Sequence, residues 1–285
     1  MLRKKIIGLF KMTRSINGLL MIIAVIVGIL ASQKKNLFLK NIILGGLTAY
    51  SLNSSSMVLN DYFDREIDSI NAPNKPLPSK IVNEKEAILF SFILTIIGLF
   101  SSLMISYICL IIAIFFYIAS FLYNWKLKKT GLIGNMIVSL CVAAPFLYGG
   151  LISDGEITLR IALFSITAFI ANTGREIIKG IADVEGDAIK DIKSIARLFG
   201  NKIAAKIGAL FFIIAVLLSF IPLIYNLVYP LSYIPLVIIT DVGFILSSYK
   251  IIKISTKENA LKIKKNVLIW MLTALLAFLV GGFYA

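Results

Sequence analysis

The chain contains no histidine, and its 285 residues include only two cysteines. With imidazole absent, the commonest general base at neutral pH is missing, so any chemistry rests on carboxylates, lysine, arginine, tyrosine and bound metal. Cys109 and Cys141 both lie deep in apolar runs, which supports neither a disulfide framework nor a thiolate metal site. Charge is also sparse: 15% of residues are Asp, Glu, Lys or Arg, against about a quarter in soluble domains. These charges come in bursts between apolar stretches too long for a globular core, and 59% of the chain is hydrophobic with a mean hydropathy of +0.91. A soluble domain is thereby excluded and an all-α integral membrane protein is expected.

With a bilayer span needing roughly 20 apolar residues, spans are predicted near 13–32, 38–59, 86–104, 106–124, 132–152, 157–175, 203–225, 230–249 and 266–284. The run 86–124 is too long for one crossing and is divided at Ser106-Tyr107 into a hairpin. No small-residue cleavage site precedes the first span, so that span is expected to be retained. The basic residues give an independent check on nine helices. With the N-terminus in the cytoplasm and the C-terminus outside, 25 of the 29 Lys and Arg fall inside, leaving only Lys34, Lys35, Lys40 and Arg160 outside. A pI near 9.7 then reflects topology and attraction to anionic membrane lipid, with no nucleic-acid partner and no obligate protein partner expected.

Against this background, N60-D61-Y62-F63-D64-R65-E66-I67-D68 gathers carboxylates at the cytoplasmic end of the second span. If the helix continues, Asp61, Asp64 and Asp68 share one face and require a compensating cation. Acidic residues at a helix end can also be plain solvated loop. A second cluster lies at the same end of the sixth span, where D183-V184-E185-G186-D187 follows Arg175 and Lys179. Arg175, Lys179, Asp183 and Asp187 form an i, i+4, i+8, i+12 ladder on a helix, which reads either as a salt-bridged end or as a site. A shift of 119 residues maps Asp64 onto Asp183, Asp68 onto Asp187 and Asn53 onto Asn172. A single domain over 1–285 is expected, with a possible four-helix repeat over about 38–152 and 157–285. Hard oxygen ligands without histidine or thiolate suit Mg²⁺, and two acidic stripes with interspersed cations suit a diphosphate bridged by that metal.

These residues carry a resemblance. The segment 60–68 matches the NDxxDxxxD motif of the UbiA superfamily of intramembrane prenyltransferases, and 183–187 matches its DxxxD motif. The loop N71-A72-P73-N74-K75-P76-L77-P78-S79 is similar to that family's N-x-P-x-R-P-L-P-S segment, with Lys75 in place of arginine. Y123-N124-W125-K126-L127-K128-K129-T130-G131 resembles its basic loop. The resemblance implies that Asn60, Asp61, Asp64, Asp68, Asp183 and Asp187 hold Mg²⁺, for which Mn²⁺ can substitute, against the diphosphate of a prenyl donor. Lys126, Lys128, Arg175 and Lys179 would grip phosphate oxygens.

The segments REIIKGIADVEGD and YNWKLKKTG are most similar to the archaeal ether-lipid branch of that family. The implied reaction moves a geranylgeranyl group from its diphosphate to the glycerol hydroxyl of geranylgeranylglyceryl phosphate, a lipid-like acceptor. Arg14, Lys190 and Lys193 are expected to hold the acceptor phosphate, though each is equally well an ordinary positive-inside anchor. Asn17 and Tyr123 are expected at the cavity near the headgroups, where polar and aromatic residues also serve as helix cross-links or packing. Asp241, inside the eighth span, is balanced between function and a bundle-facing hydrogen bond. The acidic motifs do not report the acceptor, so an aromatic-acceptor prenyltransferase stays open. An ion-coupled transporter is more remote, because its acids belong at mid-membrane.

Overall fold

The computed structural model describes residues 2–32, 38–152, 157–189 and 191–283. Among these residues all regular structure is helical. The elements are α1 (Leu2–Met12), α2 (Ser15–Ala31), α3 (Leu39–Phe63), α4 (Arg65–Asn71), α5 (Glu84–Leu103), α6 (Tyr107–Trp125), α7 (Leu132–Ile152), α8 (Leu159–Ile189), α9 (Ile195–Phe199), α10 (Asn201–Ser219), α11 (Ile221–Ile224), α12 (Pro230–Lys253) and α13 (Lys257–Phe283). Among the described residues eight stretches, with α10 and α11 taken together, are long and apolar enough to cross a bilayer, and the pair α1 and α2, bent by 46°, makes a ninth if it is one span. The predicted first span, 13–32, corresponds to α2 and is preceded by an additional helix, α1.

Local chemistry sets several of the boundaries. The 86–124 run breaks where Ser106 accepts the Cys109 backbone N–H at 3.1 Å and caps α6. α5 starts with a reciprocal capping box: the Asn83 side chain accepts from the Glu86 N–H at 2.8 Å, and the Glu86 carboxylate accepts from the Asn83 N–H at 2.9 Å. α10 stops at Ser219, and Pro222, which has no N–H to donate, sits in the first turn of α11.

Neighbouring helices pack in the order α2, α3, α6, α7, α8, α10, α12, α13 and back to α2, with α5 against α3 and α6. The backbones of α2 and α7 come into close contact. A Cβ on Gly28 would lie 2.1 Å from the Phe146 carbonyl oxygen, and one on Gly149 would lie 2.2 Å from that of Val25. Only glycine permits this backbone contact, as small residues generally do between helices in lipid. Large apolar side chains such as Phe92, Phe100, Ile111 and Phe115 point outward from α5 and α6, the arrangement expected of a lipid-facing surface. The packed ring of helices leaves room inside for a cavity.

Candidate active site

Asn60 and Asp61 occupy the last turn of α3, the chain turns at Asp64, and α4 carries Asp68. The three carboxylates therefore do not share one continuous helix face, contrary to expectation. Their partners explain the break, because each carboxylate meets cations from different parts of the chain. Asp61 accepts from Arg14 Nη2 at 2.9 Å and Lys75 Nζ at 3.1 Å, Asp68 accepts from Lys75 Nζ at 2.6 Å, and Asp64 accepts from Lys128 Nζ at 2.5 Å. The compensating charge required by the sequence is thus supplied by Arg14, Lys75 and Lys128. Burial pushes the Asp68 carboxyl above the usual carboxylate range, and the neighbouring Lys75 only partly opposes it. Asn60 accepts from Arg14 Nη2 at 3.3 Å and donates to Asn124 Oδ1 at 3.0 Å, while Asn124 donates to the Ser56 carbonyl oxygen at 3.1 Å.

Arg14 reaches this cluster from the bend between α1 and α2, where its backbone is left-handed at φ 49° and ψ 59°. That conformation costs a non-glycine residue roughly 1–2 kcal/mol. Lys75 stands on a loop closed by the Val82 N–H donating to the Pro76 carbonyl at 3.1 Å. Gly8 of α1 faces Val82, and Lys5 of α1 pairs with Glu86 at 2.5 Å, so α1 braces that loop. Lys128 lies on a 3₁₀ turn, Leu127–Thr130, ending at Gly131 with φ +68°. A Cβ there would come within 1.9 Å of the Lys193 carbonyl oxygen, and the Lys193 N–H donates to Lys129 O at 3.0 Å. Backbone contacts thus join the basic loop to the segment following the second motif.

The second motif lies on one unbroken helix, α8, with Asp187 buried and Asp183 half-buried. The expected ladder gives way to a different pairing. Glu176 accepts from Arg175 Nη1 at 2.8 Å and from Lys179 Nζ at 3.0 Å. Glu176 is buried, so it has the greater need of cations than half-buried Asp183. Asp191, beyond the helix, is held below the usual carboxylate range by Arg197.

A cavity of about 250 Å³ opens between α2, α3, α6, α7, α8 and α13. One end is polar, lined by Arg14, Asn17, Asn60, Tyr123, Asn124, Arg175, Glu176, Lys179 and Lys264; the remainder includes Phe116, Val138, Val142, Pro145 and Met271. The five motif aspartates lie outside its lining, and Asp61 connects to it through Arg14. Asn17, Tyr123, Arg175, Lys179 and Arg14 are thus brought together at the cavity. Lys126 and Lys193 are exposed, and Lys190 lies outside the described residues. Asp241 lies apart from both motifs, accepting from Ser219 Oγ at 2.8 Å beside a smaller, mainly apolar cavity of about 70 Å³. Sequence reasoning missed Glu176, Lys264, Asn124 and the structural role of Lys75. For Glu176 the signal was present, since Lys179 follows it at i+3. Lys264 comes from α13, far along the chain, and carries no local signature.

Among the described residues no three acidic side chains converge on one point. Mg²⁺ does not need such a cage, since it typically takes one or two carboxylates and completes its shell with water and phosphate oxygens. Lys75, bridging the oxygens of Asp61 and Asp68, marks a position where a cation already sits between two hard ligands. The donor set therefore fits the metal.

Residues 21–272 match the UbiA prenyltransferase family. The digeranylgeranylglyceryl phosphate synthase of Archaeoglobus fulgidus is 36% identical over 285 residues, covering 99% of this chain and 97% of that protein. A solved structure described as "Structural and mechanistic insights into the biosynthesis of Digeranylgeranylglyceryl phosphate synthase in membranes" superposes with a TM-score of 0.76 at 33% identity, covering 99% of both chains. A UbiA homologue from Archaeoglobus fulgidus bound to GPP and Mg²⁺ shares the fold with a TM-score of 0.65 at 16% identity, covering 95% of this chain and 99% of that one. Motifs, helical bundle and near full-length similarity agree, and the chain is a multi-pass membrane prenyltransferase belonging to the UbiA prenyltransferase family.

Proposed function

We propose that the protein transfers a geranylgeranyl group from geranylgeranyl diphosphate to the free glycerol hydroxyl of geranylgeranylglyceryl phosphate, releasing diphosphate, in archaeal ether-lipid synthesis. One observation carries this reading: an apolar cavity ends in a cluster of cations beside both acidic motifs, in a chain similar end to end to a digeranylgeranylglyceryl phosphate synthase. The apolar part suits a prenyl tail and the polar end suits phosphate.

Asn60, Asp61, Asp64, Asp68, Asp183 and Asp187 would hold Mg²⁺, a reading supported by the GPP and Mg²⁺ bound to a homologue of the same fold. When bound, the metal supplies charge neutralisation for the diphosphate leaving group. Arg175 and Lys179 at the cavity, with Lys128 beside Asp64 and the exposed Lys126, grip phosphate oxygens and stabilise the charge that grows as the allylic C–O bond breaks. Arg14, with Lys190 and Lys193, holds the acceptor phosphate, while Asn17 and Tyr123 flank the reacting groups. The enzyme lies in the cell membrane with its N-terminus and both motifs in the cytoplasm, as the distribution of its basic residues supports. The internal repeat draws support from Asn53 and Asn172, corresponding positions that both line the cavity.

The test is incubation of purified protein with labelled geranylgeranyl diphosphate and Mg²⁺, offering the glyceryl monoether phosphate and 4-hydroxybenzoate in competition. Label in the diether phosphate is expected. Label in prenylated hydroxybenzoate alone would move the assignment to the aromatic branch.

A further inference from the structure

Prenyl transfer to an alcohol leaves a proton that has to be removed. The acceptor oxygen bonds to C1 of the prenyl group, the C1–O bond to diphosphate breaks with its electron pair, and the hydroxyl proton must pass to a base. The motif aspartates stand on the phosphate side of this event. Among the described residues, Glu176 is the one carboxylate lining the main cavity.

Its place on α8 suits that task. Glu176 precedes Asp183 by seven residues, so the two share a helix face about 10 Å apart at 1.5 Å per residue. Lys179 lies between them. A diphosphate held at Asp183, Asp187 and Lys179 would have its prenyl group enter the cavity that Lys179 and Glu176 both line. Among the described residues no other acid lines the cavity wall.

The surroundings of Glu176 also link its availability to the donor. Arg175 and Lys179 bond its carboxylate at 2.8 and 3.0 Å, and Tyr123 of α6, Arg14 of the bend before α2 and Lys264 of α13 face the same polar end. A carboxylate neutralised by two cations is a poor base; one whose cations have turned to an arriving diphosphate is a better one. We propose that Glu176 is the catalytic base that takes the acceptor hydroxyl proton, and that donor binding uncovers it by drawing Arg175 and Lys179 onto phosphate. This rests on the reading of the acceptor as an alcohol.

The experiment compares E176Q, E176A and E176D with the wild type on the glyceryl acceptor, alongside direct binding of a non-reactive thio analogue of the donor. E176Q is expected to lose about 10²- to 10⁴-fold in kcat, the usual contribution of a general base, with analogue affinity no weaker than wild type, because Arg175 and Lys179 no longer have to leave a carboxylate. E176A should regain at least about tenfold with added formate and nothing with equal chloride, and E176D should exceed E176Q by a similar factor. A kcat for E176Q within about threefold of wild type overturns the proposal. So does a fall in analogue affinity matching the fall in kcat without formate rescue, which would leave Glu176 only positioning its two cations. Should E176Q not fold, E176A with formate and E176D give the same decision. Wild-type protein inactive on the glyceryl acceptor would instead overturn the function reading, a result separate from any variant.

Discussion

The two acidic motifs solve the same problem by opposite means. The first breaks its helix at Asp64 and draws cations from the bend between α1 and α2, the 72–83 loop and the 3₁₀ turn after α6, so Asp61, Asp64 and Asp68 are each paired with a cation from outside their own helix. The second keeps its helix intact, and the nearby cations on α8 are taken by Glu176, about two turns before Asp183 and three before Asp187. A helix break frees side chains to reach distant partners, whereas an unbroken helix fixes which groups share a face. The first motif therefore has its cations already on the aspartates, and the second holds its cations in reserve on Glu176, at the wall of the cavity.

If both motifs serve one metal-bridged diphosphate, removing the divalent ion should have the largest effect. Activity is expected to fall by at least about 10³-fold in EDTA and to return with Mg²⁺ or Mn²⁺; full turnover in chelator would break the comparison at its root. Next, D64A and D183A should each lower kcat by at least about 10³-fold, and the double variant should be less than roughly tenfold worse than either alone. Multiplicative losses would mean two independent sites.

The cations should separate more finely. R14Q is expected to raise the Michaelis constant for the acceptor about ten- to hundredfold, the value of one lost charge-assisted hydrogen bond, and to leave that of the donor within roughly twofold. K193Q, whose side chain is exposed, should show a smaller change in the same direction. Steady-state titration of each substrate in turn checks both. Equal effects on donor and acceptor would remove Arg14 from the acceptor side.

The smallest effect concerns stability. K75M leaves the buried carboxylates of Asp61 and Asp68 without their shared cation. A cost of about 2 kcal/mol is expected in chelator, less than the roughly 3–5 kcal/mol for breaking a fully buried pair, because the Lys75 side chain is 32% exposed. Thermal unfolding in detergent measures it, and Mg²⁺ should narrow the gap to wild type. A gap unchanged by Mg²⁺ would indicate that lysine and metal do not compete for those oxygens.

Much of this architecture was legible in the chain. The positions of the spans followed from apolar run lengths, and even the uninterrupted 86–124 segment divided where Ser106 caps α6. The acidic motifs could be seen as a site because like charges packed at a membrane edge demand a counter-charge. Which counter-charge could not be read. Lys75 lies close in sequence to Asp68, but Arg14 and Lys128 meet Asp61 and Asp64 over separations of 47 and 64 residues. The ladder on α8 misled for another reason: helical spacing made Asp183 and Glu176 both eligible for Lys179, and burial favoured Glu176.

By itself the sequence determined that the chain is a membrane-embedded helical bundle with acidic motifs at span ends, because the bilayer's thickness and its intolerance of unsatisfied backbone leave no other reading of such apolar runs. Tertiary structure alone decided that α1 folds back to brace the Lys75 loop, that Gly28 and Gly149 bring α2 and α7 into backbone contact, and that Glu176 and Lys264 meet at the cavity wall. Those outcomes depend on contacts between helices remote in sequence, and local periodicity fixes which face a residue occupies without fixing what that face will meet.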